Sequence, residues 1–323
     1  MFVKIKFKFE GANKLEREGI AKDMTALIGG TPMLALTRFA AEYAPGARIA
    51  AKLEAFNPGG SAKDRIALSM IRAAEAEGRL KPGGCVIEPT SGNTGIGIAA
   101  ICASLGYRAV VVMPDSMSVE RQKLIAAYGA ELVLTPGALG MSGAVAEAER
   151  ICAAREGSVI AGQFANPANP AAHYATTGPE IWRDAEGDIA ALVAGIGSGG
   201  TLSGAGRYLK ERKTDVRVVG VEPADSPLLS RGFSGAHGIQ GIGANFVPKA
   251  LDRDVLDEVI AVPTQGALDM ARALARREGV LCGISGGAAL WAAVELAKRG
   301  ERGRIVVVLP DGGERYLSSA LFA

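Results

Sequence analysis

Aromatic residues are scarce, at 5% of the 323-residue chain, and histidine is scarcer, at two. With so few rings and an apolar content of 48%, the core must be aliphatic and rich in alanine. Only His173 and His237 could serve a Ser–His–Asp triad, and neither sits in a supporting motif. The four cysteines, Cys85, Cys102, Cys152 and Cys282, form no CxxC pair. That argues against a zinc site or a redox dithiol, and four buried free thiols are expected. The net charge of +2 is too small an excess for a nucleic-acid or polybasic membrane surface. No apolar run reaches the roughly 18 residues of a membrane span. The opening MFVKIKFKFE lacks the unbroken apolar stretch of a secretion signal, and its alternating Lys4, Lys6 and Lys8 read as a short strand or an arm. A cytoplasmic protein is expected.

What the chain has is glycine, 43 residues of it, and an alternation of apolar strands with helical patterns. VIEPT (86–90), AVVVMP (109–114), ELVLT (131–135), LVAGIG (192–197), VRVVGVEP (216–223), VIAVP (259–263) and RIVVVLP (304–310) read as strands. Helical stretches follow most of them, among them one over 119–129 that ends at Gly129. Near-continuous apolar strands between helices predict an α/β fold with mostly parallel sheets covered on both faces. The length suits two domains or one two-lobed unit. The proline-containing segment 163–182 has little apolar periodicity. It reads as a crossing between lobes or, more plainly, as a long surface loop.

Three strand-to-helix joints are rich in glycine, and parallel α/β sheets bind ligands at such joints. In AGIGSGGTLSGAG (194–206), Gly195, Gly197, Gly199 and Gly200 carry no Cβ, and Ser198 and Thr201 add hydroxyls before a helix. Converging N–H groups at a helix start make a phosphate cradle. The GK[ST] ending of a nucleotide P-loop is missing, and no acidic residue is clearly placed for a dinucleotide's ribose. In EPTSGNTGIG (88–97), Thr90, Ser91, Asn93 and Thr94 crowd beside Gly92 and Gly95. One helix cap needs one such residue, so four suggest a cradle for a carboxylate. In LCGISGGAAL (281–290), Ser285 reads most simply as an N-cap.

The third joint, NPGGSAKDR (57–65), sets Lys63 between a glycine turn and a helix. A phosphate cradle, a carboxylate cradle and one lysine at a helix start point together to pyridoxal 5′-phosphate, whose aldehyde a lysine amine captures and whose phosphate needs an anion site.

These motifs, with QFANPANP, TTGPEIW, IQGIGANFVP and GERYLSSALF, resemble the O-acetylserine sulfhydrylase (cysteine synthase) family of fold type II pyridoxal-phosphate enzymes, the A-type most of all. They stand in the family's order over roughly 25–323. The resemblance implies a smaller lobe from 1–34 and 57–166, bearing a mobile substrate loop, and a larger lobe from 35–56 and 167–323. It implies that Lys63 holds the cofactor covalently and acts as base, and that Gly197, Ser198, Gly199, Gly200 and Thr201 bind its phosphate. Asn93 would meet the ring hydroxyl and Ser285 the ring nitrogen. Thr90, Ser91, Gly92, Thr94 and Gln163 would hold the substrate carboxylate, with Gly241 near its amino group.

The implied reaction replaces the acetoxy group of O-acetyl-L-serine by sulfide, by way of an aminoacrylate. A homodimer, and binding of a serine acetyltransferase C-terminal peptide, are implied too. Ser198 stands where many relatives have Thr, and the segment from Asp225 to Ile239 looks shorter than in many A-type members. The alternatives are a cystathionine β-synthase-like or O-phosphoserine-using enzyme, for which Arg231 could contact a phosphate although it reads more simply as a lone surface arginine, a non-catalytic binding protein, or a nucleotide-binding dehydrogenase.

Overall fold

The computed structural model describes residues 19–90 and 92–322. The arm expected over the first residues, and the Ser91 site, lie outside the described residues. Along the chain run β1 (Met33–Ala35), α1 (Thr37–Tyr43), β2 (Arg48–Leu53), α2 (Lys63–Ala76), β3 (Cys85–Pro89), α3 (Asn93–Leu105), β4 (Arg108–Pro114), α4 (Val119–Ala127), β5 (Glu131–Thr135), α5 (Gly140–Ala154) and β6 (Ser158–Ile160). Then come α6 (Ala168–Ala172), a π-helical turn (His173–Thr177), α7 (Gly178–Asp184), β7 (Ala191–Gly195), a second π-helical turn (Leu202–Gly206) and α8 (Arg207–Lys210). β8 (Arg217–Pro223), α9 (Leu228–Arg231), β9 (Glu258–Val262), α10 (Thr264–Glu278), α11 (Ile284–Lys298) and β10 (Arg304–Leu309) complete it.

The strands form two sheets. Four pair in the order β5-β4-β3-β6, all parallel. Six pair in the order β1-β2-β10-β7-β8-β9, parallel except for β1 against β2. Every residue of β3 is buried, as is every residue of β4 after Arg108, because helices cover both faces. α11 is buried nearly all round, and its small residues allow that: a Cβ on Gly287 would run into the Ala267 carbonyl of α10.

All seven strands expected from the apolar runs are present, within two residues of their predicted limits. β1, β2 and β6 were not foreseen. Met33 and Leu34 pair with Lys52 and Ala51, so the expected lobe boundary after residue 34 falls inside a strand of the larger sheet. α4 stops at Ala127, and Gly129 follows in the left-handed region at φ 79°, as its place after the helix requires. The segment 163–182 does cross from β6 in one sheet to β7 in the other, but mostly as helix rather than loop. Its prolines suit that. Pro170 lies in the first turn of α6, where the missing N–H has no helical partner to lose, and Pro179 follows directly on the π-helical turn His173–Thr177. Among the described residues no helix is long and apolar enough to cross a membrane.

Candidate active site

β2 runs through a short helical turn (Glu54–Phe56) into the sequence NPGGSAK. Gly60 N–H closes the turn on the Asn57 carbonyl at 2.7 Å, and Ala62 N–H reaches the Pro310 carbonyl at 2.8 Å, just past β10. Lys63 is thereby delivered to the carboxyl ends of the larger sheet. It lines a small cavity together with Gly195, Gly197, Ser198, Gly199, Gly200, Thr201, Gly241 and Ser285. Burial pulls the lysine's pKa below its ordinary value, against the opposing charges of Asp311 and Glu54. A lysine so placed is disposed to be a neutral nucleophile and base.

The helix bearing Lys63 is fastened by a buried charge network. Arg65 Nε donates to Glu54 Oε2 and Nη2 to Glu180 Oε2, both at 2.7 Å, while Lys52 Nζ reaches the same Glu180 oxygen at 2.7 Å. Two cations face two carboxylates, so the charges compensate. Burial works against ionised Glu180, yet Arg65 and Lys52 hold its pKa down at about 2. Asp64, beside them, accepts Gly59 N–H at 2.6 Å, and burial raises its carboxyl to about 6.

The cradle opposite Lys63 is made of bare backbone. A Cβ on Gly197 would lie 2.5 Å from the Gly241 carbonyl oxygen, and Gly199 sits at φ 83°. The N–H groups of Gly197, Ser198 and Gly199 donate to none of the described residues, which leaves donors for an anion. Asn169 Nδ2 donates to Ser198 Oγ at 2.8 Å and to the Gln163 carbonyl at 2.7 Å. His173 Nε2 lies 3.2 Å from Thr201 Oγ1. Burial, with the Arg65 charge, drops that imidazole's pKa to about 3, so it is neutral.

The loop after β3 forms a second cluster. Thr94 Oγ1 donates to Gln163 Oε1 at 2.7 Å, Gln163 Nε2 donates to Thr90 Oγ1 at 3.3 Å, and Gly92 N–H reaches Thr90 Oγ1 at 3.2 Å. Behind them Glu88 accepts the N–H groups of Gly162 at 2.7 Å and Gln163 at 3.3 Å. Burial raises its carboxyl to about 7 despite those bonds. Asn169 joins the two clusters, touching Gln163 on one side and Ser198 on the other.

A buried lysine of lowered pKa, an anion cradle with orphaned donors and a hydroxyl at Ser285 fit pyridoxal phosphate. The model of the family described as pyridoxal-phosphate dependent enzyme matches residues 24–311. The chain belongs to that family. Among curated relatives of these pyridoxal-phosphate enzymes, the cysteine synthase of Staphylococcus aureus is 50% identical over 303 residues, 93% of this chain and 97% of its own. Among solved structures, cysteine synthase (OASS) from Entamoeba histolytica superposes with a TM-score of 0.91 at 41% identity, covering 100% of this chain and 94% of that one. An O-ureido-L-serine synthase gives 0.90 at 45% identity, covering 94% and 96%. As a pyridoxal-phosphate enzyme the chain takes pyridoxal phosphate as cofactor, and its two mostly parallel sheets match fold type II.

Most of the expected site residues gather as two linked clusters, one around Lys63 and one around Thr90; the N-cap reading of Ser285 needs correction. Ser285 is not an N-cap: Gly283 holds that place, and Ser285 lies in the first turn of α11, facing the cavity. The polar residues after β3 do not cap α3 either, since Gly92 is its N-cap and no side chain bonds there. Asn93 does not line the cavity. Its Nδ2 donates to Asp311 Oδ2 at 2.6 Å, and its Oδ1 accepts from Arg315 Nη1. Arg231 is exposed and sits beside Glu258 and Trp291, outside the cavity. All four cysteines are free, but Cys152 is only half-buried. Sequence reasoning missed Glu88, Asn169, His173 and Asp311, although EPTSGNTG and QFANPANP contained the first two.

Proposed function

We propose that this chain is a cysteine synthase, which converts O-acetyl-L-serine and sulfide into L-cysteine and acetate. The observation that carries the reading is the cavity that brings Lys63, the 197–201 cradle and Ser285 together from three remote segments. The identity to cysteine synthases over nearly the whole chain supports the choice among reactions.

When bound, the cofactor supplies a sink for the charge that develops at the substrate's α-carbon. The residues do the rest. Gly197, Ser198, Gly199, Gly200 and Thr201 would bind the phosphate, and Asn93 would meet the ring hydroxyl. Thr90, Ser91, Gly92, Thr94 and Gln163 take the carboxylate, and Gly241 lies near the amino group. Lys63, made less basic by burial, removes the α-proton, and returns it after sulfide has replaced acetate at the β-carbon. Ser285, in the cavity wall, would offer the ring nitrogen a neutral hydroxyl rather than a carboxylate.

The lobe built on the four-stranded sheet closes on that built on the six-stranded sheet, excluding water and aligning the α-proton with Lys63. The working form is a cytoplasmic homodimer, and a serine acetyltransferase C-terminal peptide competes for the carboxylate loop.

The likeness to O-ureido-L-serine synthase supports a second reading, in which a hydroxyurea replaces sulfide as the nucleophile. Initial rates with O-acetylserine, O-phosphoserine or serine, each paired with sulfide, homocysteine or hydroxyurea, separate the possibilities. O-acetylserine with sulfide is expected to be fastest by at least about tenfold, a difference of about 1.4 kcal/mol in barrier. A faster rate with any other pair would overturn the assignment.

A further inference from the structure

Arg121 is a buried cation that forms no ion pair among the described residues. It is 4% exposed. Its Nη1 donates to Gln240 Oε1 at 2.8 Å, and its guanidinium lies 5.2 Å from the centre of the Tyr316 ring. Its Nε is buried without a hydrogen-bond partner. An unpaired buried charge is costly, so a guanidinium kept in such a place calls for an anion.

The unpaired side of Arg121 faces the loop after β3. A Cβ on Gly92 would fall 2.9 Å from Arg121 Cδ and Nε, and 3.2 Å from Cζ. Arg121 therefore lies directly against the bare α-carbon of Gly92, the N-cap of α3. No side chain caps that helix, whose length is 13 residues. The unpartnered Nε of Arg121 therefore stands beside the N-terminus of that helix, the positive end of its dipole. The other end of the guanidinium holds Gln240, the neighbour of Gly241 in the cavity wall.

We propose that Arg121 is a specificity-determining residue for the substrate's α-carboxylate. With the start of α3 and with Thr90, Thr94 and Gln163, it receives the carboxylate of a small α-amino acid. Through Gln240 it ties that event to the loop bearing Gly241. The inference rests on the reading of the Thr90–Thr94 loop as the carboxylate site, and its test separates the two.

The cofactor-loaded enzyme is titrated with L-serine and with L-serinamide, whose carboxylate is replaced by a neutral amide, and binding is followed by the cofactor's visible absorbance. Arg121→Met is expected to raise the Kd of L-serine by about tenfold or more while that of L-serinamide changes by less than about twofold. Arg121→Lys keeps the charge without the flat fork, and its serine-to-serinamide ratio falls in between. Equal weakening of both ligands would mark a merely structural role and overturn the inference, as would unchanged serine binding. Thr94→Val is run beside them. If it weakens serine selectively and the arginine variants do not, the Arg121 inference fails alone. If neither variant discriminates, the carboxylate-loop reading fails with it. Should Arg121→Met not fold, the ratio measured for Arg121→Lys decides.

Discussion

The joint after β7 and the joint after β3 are both glycine-rich turns into helices, yet they are held in opposite ways. The phosphate cradle is backbone against backbone: Gly243 N–H reaches the Ile196 carbonyl at 3.0 Å, and Gly197 packs on Gly241. Its donors stand ready, so an anion can enter without breaking anything. The loop after β3 is held by side chains bonded to one another, Thr94 to Gln163 and Gln163 to Thr90. A ligand must exchange for those bonds. The supports differ likewise. α11 buries twelve of its fifteen residues beside the cradle, whereas α4 buries two of nine beside the substrate loop. The proposed cofactor end is fixed by packing, whereas the proposed substrate end holds side-chain bonds that a ligand can exchange.

Three substitutions break or sharpen that contrast. Gly197→Ala attacks the fixed end. Its Cβ would meet a backbone oxygen at 2.5 Å, so two loops must part. Overpacking of this kind costs about 1–3 kcal/mol, and equilibrium dialysis should show cofactor affinity reduced about five- to hundred-fold. Thr94→Val acts on the proposed substrate end. The KM for O-acetylserine should rise about tenfold with cofactor affinity unchanged; a loss of cofactor affinity would erase the distinction between the two ends.

Glu88→Gln tests the pH dependence of the substrate end. The folded state raises this carboxyl to about 7 from 4.5, so it favours the protonated form. The stability Glu88 contributes is present below pH 4.5 and lost as pH rises through 7, a change on the order of 3 kcal/mol. Glu88→Gln should flatten that limb of stability against pH in denaturant melts. An unchanged slope would mean that Glu88 does not titrate there.

Much of this was legible in the chain. Strands such as RIVVVL are continuous apolar runs, and the chemistry-bearing residues sit in short motifs at the joints. β2 escaped notice because ARIAAKL is alanine-rich and carries Lys52, whose charge reads as solvent-facing. Its ammonium is in fact buried against Glu180. The helices of 168–184 escaped because proline suggests a break, whereas Pro170 sits in a first turn, where it costs no hydrogen bond, and Pro179 follows a π-helical turn.

The sequence by itself determined which residues could carry chemistry, because a lysine, a glycine turn or a hydroxyl cluster is a local property of a few neighbours. Only the tertiary structure decided which of them act on one another. Asn169 joins Gln163 to Ser198, and Arg121 meets both Gly92 and Gln240, across separations that no periodicity encodes. Such pairings are fixed by how two sheets and their helices pack, where a buried polar group must find its partner wherever the chain brings one.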